Sequence, residues 1–128
     1  MDFSAFWDAT LRQDADAMRT FFHPDANIRW HCTNECFTPE EFLRANCEYA
    51  GYDVPAGGWD GSIERIESLG DLTITVTRVY PKDRSCSFHV TSFFQIENDR
   101  IRALDEYWAD DAEPPQWRKE MHIGTQIS

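Results

Sequence analysis

A chain of 128 residues, 41% of them hydrophobic and 18 of them aromatic (5 Trp, 4 Tyr and 9 Phe), is long enough to form one domain with its own core. Its formal net charge of −11, without a basic cluster, opposes binding to phosphate backbones and argues against a nucleic-acid partner. No apolar run approaches the roughly 20 residues that span a bilayer, and no signal-peptide core is present, so we expect a cytoplasmic protein with no membrane partner.

Three helices are predicted in the N-terminal half. An apolar stripe at the spacing of one helical face runs along residues 3–11. It consists of Phe3, Phe6, Trp7 and Leu11. A second, short helix starts at Asp14, and "HPD" at residues 23–25 is expected to stop it, because proline disfavours the helical conformation in the residue before it.

The third helix has the clearest local signal, in "TPEEFLRANCEYAG". Thr38 is placed as the N-cap, Pro39 occupies the first helical position, and Glu41 follows the threonine by three residues. This arrangement is a capping box, in which two side chains satisfy backbone N–H groups at the start of the helix. We expect the helix to end near Gly51.

Between the second and third helices, "IRWHCTNE" at residues 28–35 predicts the first strand. Its alternation places Ile28, Trp30 and Cys32 on the inner face of a sheet. Arg29 and His31 then point outward. Asn34 and Glu35 fall in the turn after the strand.

The second half of the chain predicts an antiparallel meander. Its strand-like runs are separated by "GD", "PKDR" and "ENDR" turns. They are Trp59–Leu69, Leu72–Tyr80, Ser85–Ile96 and Ile101–Trp108. Residues 111–128 form a tail of little periodicity, in which Trp117 and Met121 could pack onto the body. We expect one domain over residues 1–128, with its core in residues 3–110.

Three helices on one side of a strongly bent antiparallel sheet define an α+β fold. If "ENDR" closes a tight hairpin, Thr91 lies opposite Glu106 and His89 lies opposite Trp108. Both faces of this hairpin carry large apolar side chains. A sheet face that helices do not cover is usually buried against another subunit, so a two-fold homodimer is predicted.

Two segments, "FFHPDANIRW" and "FFQIENDRIRALDEYW", together with the order of the helices, resemble the nuclear-transport-factor-two-like superfamily. The likeness covers most of residues 3–110 and is strongest to small bacterial members of the SnoaL-like branch that have no established activity. It implies a cone-shaped α+β barrel with a pocket. The superfamily includes polyketide cyclases, ketosteroid isomerases, dehydratases, epoxide hydrolases and non-catalytic binding or transport modules, so the resemblance implies a fold rather than one activity.

Ketosteroid-isomerase-like members place a tyrosine on the first helix and a general-base aspartate on the first strand. The matching positions here are Phe6 and Trp30. Phenylalanine has no hydroxyl donor and tryptophan cannot accept a proton. The resemblance therefore argues against steroid isomerisation.

The same resemblance implies that alternate residues of the last strand line the pocket, and the predicted hairpin brings residues of its partner strand in with them. His89 and Glu106 are the candidate acid–base pair, because a carboxylate steadies a neighbouring imidazolium. The candidate ligand-binding residues are Trp7, Trp30, Trp59, Thr91, Leu104 and Trp108. A single β-bulge would exchange the two faces of the hairpin, so the register decides this assignment.

No metal or cofactor is expected. The four histidines, at positions 23, 31, 89 and 122, have no paired spacing, and no nucleotide-binding or nucleophile-elbow motif is present. Four cysteines, at positions 32, 36, 47 and 86, match no zinc pattern. Two disulfides are possible, but a cytoplasmic setting favours free thiols.

Two functions fit these residues. In the first, the protein binds a small apolar or aromatic molecule, with lyase, isomerase or hydrolase chemistry through His89 and Glu106. In the second, the cone is filled by its own aromatic side chains, and the protein is a non-catalytic dimeric ligand-binding or interaction module. An open pocket of several hundred cubic ångströms with both residues in its wall favours the first function, and a collapsed interior favours the second.

Overall fold

A curved, unclosed sheet with helices on one side forms the body of the computed structural model, which describes residues 1–48 and 57–127. The strand order within these residues is β2-β1-β6-β5-β4-β3. The elements are α1 (Phe3–Leu11), α2 (Ala15–Arg19), β1 (Phe22–Trp30), β2 (Glu35–Phe37), α3 (Pro39–Cys47), β3 (Trp59–Leu69), β4 (Leu72–Pro81), β5 (Phe88–Glu97), β6 (Arg100–Asp110) and α4 (Gln116–Glu120). The predicted α+β class is confirmed.

The three predicted N-terminal helices are confirmed, and polar side chains begin each of them. Asp2 accepts a hydrogen bond from the backbone of α1, and Asp14 does the same for α2. Both bonds of the capping box between Thr38 and Glu41 are present at α3. The last helical residue of α3 is Cys47, and the predicted end near Gly51 lies outside the described residues.

The antiparallel meander of β3 to β6 is confirmed, but the sheet is not wholly antiparallel. Strand β1 pairs with β6 in the parallel direction and with β2 in the antiparallel direction. Parallel neighbours need a long connection between them. Here all the elements from β2 to β5 lie between β1 and β6 in the chain.

The first strand starts earlier than the sequence predicted. "HPD" lies inside β1, and α2 already ends at Arg19, so the prediction that Pro24 stops the helix is wrong. The pairing with β6 is irregular between Phe22 and Asn27, which accommodates a proline that has no N–H to donate. Ile28 is fully buried, as expected for the inner face, whereas Cys32 is exposed in the turn beyond the strand.

The β5–β6 hairpin has the predicted tight turn but not the predicted register. Asn98 and Asp99 both adopt positive φ angles, which suit a two-residue turn, and Glu97 pairs with Arg100. The register then shifts between Gln95 and Ile96, because β6 contains one extra residue there. Beyond this bulge each β5 residue pairs with the β6 residue one position further along the chain than predicted.

The core lies between the helices and the inner face of the sheet. Phe6 of α1 contacts Phe94 of β5 edge to face, with the ring centroids 5.2 Å apart, and both side chains are fully buried. The tail does not join this core. Trp117 and Met121 are 58% and 59% exposed, so the suggested packing of the tail on the body is not observed. No helix in the described part of the chain is long and apolar enough to cross a membrane.

Candidate functional site

A cavity of about 370 Å³ opens between the helices and the inner face of the sheet. Most of its wall is aromatic or aliphatic, and four of the five tryptophans of the chain contribute to it. The aromatic lining residues are Phe6, Trp7, Trp30, Phe42, Trp59, Phe88 and Trp108. The interior is therefore open rather than filled by its own side chains, and its size is that of a small-molecule site.

Glu106 of β6 is the buried carboxyl group in this wall, with 5% of its surface exposed. The indole Nε1 of Trp30 donates to Oε1 at 3.1 Å, and the hydroxyl of Ser92 donates to Oε2 at 2.6 Å. Burial raises the pKa of Glu106, and the hydrogen bonds from Ser92 and Trp30 only partly oppose this shift. The carboxyl group thus keeps its proton to higher pH than an exposed glutamate does.

Ser92 is not among the predicted site residues, because the prediction assumed a register without a bulge. It lies opposite Glu106 on the inner face, in the place predicted for Thr91. Thr91 instead pairs with Tyr107 on the outer face. The signal available in the sequence was the alternation of Val90, Ser92 and Phe94. All three side chains are buried in the structure.

His89 does not meet Glu106, so the predicted pairing of these two residues is wrong. The bulge turns His89 to the outer face, where Nδ1 bonds to Asp111 and Nε2 lies 2.8 Å from Glu64 Oε1. The hydrogen bond to Asp111 is the main reason why the pKa of His89 is raised, and partial burial opposes the shift. This histidine ties β3 to the end of β6, on the side of the sheet away from the cavity.

The remaining predicted residues divide between the cavity and its surroundings. The four tryptophans, Trp7, Trp30, Trp59 and Trp108, lie in the cavity wall. Leu104 is fully buried in the core and is not a lining residue. Trp7 is oriented by Thr75 of β4, whose hydroxyl accepts its indole N–H at 3.2 Å.

Polar groups enter the wall where α1 and α3 meet. Gln13 donates to the backbone carbonyl of Asn46 at 2.8 Å and so joins the end of α1 to α3. Both side chains line the cavity, together with Thr10 and Asp110. No cluster of three or more His, Cys, Asp or Glu side chains suited to a metal ion occurs within residues 1–48 and 57–127.

A bent sheet and helices that enclose an apolar cavity are the architecture implied by the resemblance to the nuclear-transport-factor-two-like superfamily. Residues 3–104 match the family model described as the SnoaL-like domain, and the chain belongs to this family. No curated protein matches the sequence.

Solved structures support the same fold at low sequence identity. The chain is similar to an NTF-2 like protein of unknown function from Burkholderia xenovorans LB400, with a TM-score of 0.75, 22% identity and coverage of 98% of this chain and 92% of that one. The chain is also similar to a candidate ketosteroid isomerase from Kribbella flavida, with a TM-score of 0.74 and 16% identity. This match covers 98% of this chain and 87% of that one. A third similar structure is an LEH-like epoxide hydrolase of M. tuberculosis, with a TM-score of 0.64 and 17% identity. This match covers 84% of this chain and 79% of that one.

Proposed function

We propose that the protein binds a small, largely apolar or aromatic molecule in the cavity and exchanges a proton with it through Glu106. The observation that carries this proposal is an open cavity of about 370 Å³ with one deeply buried carboxyl group in an aromatic wall. Apolar walls with few convergent polar groups are typical of ligand sites. A filled core would not need a carboxyl group, because burying one is costly.

Glu106 is suited to act as a general acid. Because burial raises its pKa, it holds a proton that it can give to a substrate atom on which negative charge develops. Trp30 and Ser92 then stabilise the carboxylate that forms, since both donate to its oxygens. This chemistry fits a lyase, isomerase or hydrolase step and needs no second carboxylate.

Ligand binding can be tested through the four cavity tryptophans. We expect 4-nitrobenzyl alcohol, a neutral aromatic quencher, to reduce tryptophan emission along a saturable curve. Val90→Phe places a phenyl ring in the cavity wall and should abolish saturation, whereas Val76→Phe on the opposite face of the sheet should retain it. Ala45→Leu on α3 is a second filling variant, in case Val90→Phe unfolds the protein. The same linear quenching in all the variants and the parent would contradict binding in the cavity.

Proton transfer is tested with Glu106→Gln. The glutamine oxygen can still accept from Trp30, and its amide group can donate to the Ser92 hydroxyl, so the local hydrogen bonds are kept. We expect binding of the alcohol to persist and any turnover identified for the parent protein to be lost. Equal turnover in the two proteins would show that Glu106 does not transfer the proton, and a parent protein with no turnover would favour a non-catalytic binding module.

We also infer a homodimer through the outer face of the sheet. The His31 ring stacks on Tyr107 with the centroids 4.4 Å apart, and Phe93 meets the same tyrosine edge to face. Tyr107 is nevertheless 46% exposed, and aromatic surface of this kind is enriched at interfaces. Sedimentation at micromolar concentration should give twice the 14.9 kDa chain mass, and Tyr107→Glu should give the monomer. A parent protein that sediments as a monomer contradicts this assembly and the dimeric-module alternative.

All four cysteines are unpaired, which supports a reducing compartment such as the cytoplasm as the place where the protein acts. Burial raises the pKa of Cys47, so this thiol is less reactive than an exposed one.

A further inference from the structure

We propose that the ligand of this cavity is an organic cation, an ammonium ion with apolar substituents, which the aromatic wall surrounds and Glu106 neutralises as its counter-ion. This inference rests on the proposed function and specifies the substrate class. It follows from three properties of the wall: its aromatic side chains, the hydrogen bonds that two of its indole N–H groups already make, and the sign of its charges.

The aromatic side chains supply the first argument. Seven of the lining side chains are tryptophan or phenylalanine, and they come from both helices and strands, so they surround the space. The face of an aromatic ring is its negative region and attracts cations, most strongly for tryptophan. A substituted ammonium ion offers both a positive charge and apolar surface to such a wall.

The indole N–H groups supply the second argument. Those of Trp7 and Trp30 already donate to Thr75 and Glu106, respectively. That of Trp59 is shielded from solvent and has no hydrogen-bond partner within the described residues. Trp7 and Trp30 therefore offer a ligand their carbon surfaces rather than free donors. A carboxylate or phosphate ligand would gain little from them.

The third argument is charge. The ionisable side chains that line the cavity are Glu106 and Asp110, both from β6; α1, α3, β1, β3, β4 and β5 contribute none to the described wall. Residues 49–56, outside the described part, contain no lysine, arginine or histidine in the sequence. The whole chain carries −11, which attracts cations from solution and repels anions.

The hydrogen bonds of Glu106 already suit its ionised form. Both of its oxygens accept a hydrogen bond, and what opposes ionisation in the empty cavity is burial. A cation beside the carboxyl group compensates for that burial. The O–H bond of Glu106 then breaks, its electron pair stays on the carboxylate, and the proton leaves to solvent. Binding of the cation is therefore linked to the release of up to one proton. With a cationic substrate Glu106 exchanges a proton as a general base, because its carboxylate can then accept one from the substrate.

Two probes of the same shape test the inference by isothermal titration calorimetry. Choline carries a trimethylammonium group, and 3,3-dimethylbutan-1-ol carries a neutral tert-butyl group in its place. We expect choline to bind about tenfold more tightly than the alcohol, because a desolvated cation–π contact contributes a difference of this order. Measurements in two buffers that differ in ionisation enthalpy should show proton release with choline, and no change or a small proton uptake with 3,3-dimethylbutan-1-ol. The affinity for choline should rise as the pH rises through the titration of Glu106 and then level off.

Variants separate the counter-ion from the net charge of the protein. Glu106→Gln should remove both the proton release and most of the preference for choline. Glu67→Gln removes one negative charge from an exposed position on β3, paired with Arg65, and should leave both unchanged. Circular dichroism checks that each variant is folded.

Each result decides between the two proposals. The cation inference is overturned if 3,3-dimethylbutan-1-ol binds as tightly as choline. It is also overturned if Glu106→Gln still binds choline more tightly than 3,3-dimethylbutan-1-ol to the same degree as the parent. In both cases the proposed small-molecule site stands. If neither probe binds but 4-nitrobenzyl alcohol does, the cation inference alone fails. If none of the three binds, both proposals fail.

Discussion

Replacing Thr75 with valine tests whether a hydrogen bond fixes the position of Trp7 in the cavity wall. Thr75 is fully buried, and its hydroxyl accepts the indole N–H of Trp7 at 3.2 Å. Valine has nearly the same shape, so packing is preserved while the N–H group is left buried without an acceptor. The net value of a hydrogen bond is about 1 kcal/mol, and an orphaned buried donor costs about 1–3 kcal/mol. We expect the free energy of unfolding to fall by about 1–2 kcal/mol.

Thr77 offers a matched control two residues along the same strand. It is equally buried, but its hydroxyl has no hydrogen-bond partner within the described residues. Thr77→Val removes a polar group that gains nothing, so the free energy of unfolding should stay the same or rise by up to about 1 kcal/mol. Urea denaturation of the two variants and the parent should show different midpoints with a common slope. Equal destabilisation by both variants, or greater loss in Thr77→Val, would refute this reasoning.

Three further predictions concern titratable groups and thiols. Because the folded-state pKa of Glu106 is raised, the unfolding free energy of the parent should fall relative to that of Glu106→Gln as the pH rises from about 4.3 to the folded-state pKa; a constant difference would contradict burial of the carboxyl group. The folded-state pKa of His89 is also raised, so the stability lost in Asp111→Asn should be greatest below about pH 6.5 and should shrink as the pH rises through that folded-state value; a pH-independent loss would mean that the two groups do not interact. Thiol titration of the unfolded, unreduced protein should find all four cysteines, and a lower number would show that disulfides exist.

The elements that the sequence predicted best are those whose signals are local. The capping box of Thr38 and Glu41 involves residues three positions apart, and both of its hydrogen bonds are present at α3. The turn at Asn98 and Asp99 is equally local. By contrast, the interpretation of Pro24 as a helix stop was wrong. Proline is compatible both with a turn after a helix and with an irregular strand, and only the pairing of β1 with β6 distinguishes the two.

The candidate site could be predicted only in part, because it depends on one extra residue in β6. The inward position of Glu106 and Trp108 came from the family resemblance, and the structure places both in the cavity wall. The prediction of which β5 side chains point into the cavity assumed an uninterrupted register. One bulge exchanged them, which moved His89 away from the cavity and brought Ser92 to Glu106. The short-range pattern of β5 and β6 does not reveal this bulge, which bends the strand and increases its local twist within the assembled sheet.

The titration of the Glu106 carboxyl group, with and without a ligand, tests most directly the claim that this group holds a proton inside a ligand cavity. The side-chain carboxyl carbons of ¹³C-labelled glutamate can be followed by NMR as the pH is raised, and the Glu106 signal is identified by its loss in Glu106→Gln. We expect its midpoint to lie above the ordinary range for glutamic acid, because burial opposes ionisation, and to rise further when 4-nitrobenzyl alcohol displaces water from the cavity. A midpoint of about 4.3 that does not respond to the alcohol would contradict both the burial of the group and its place in the binding site.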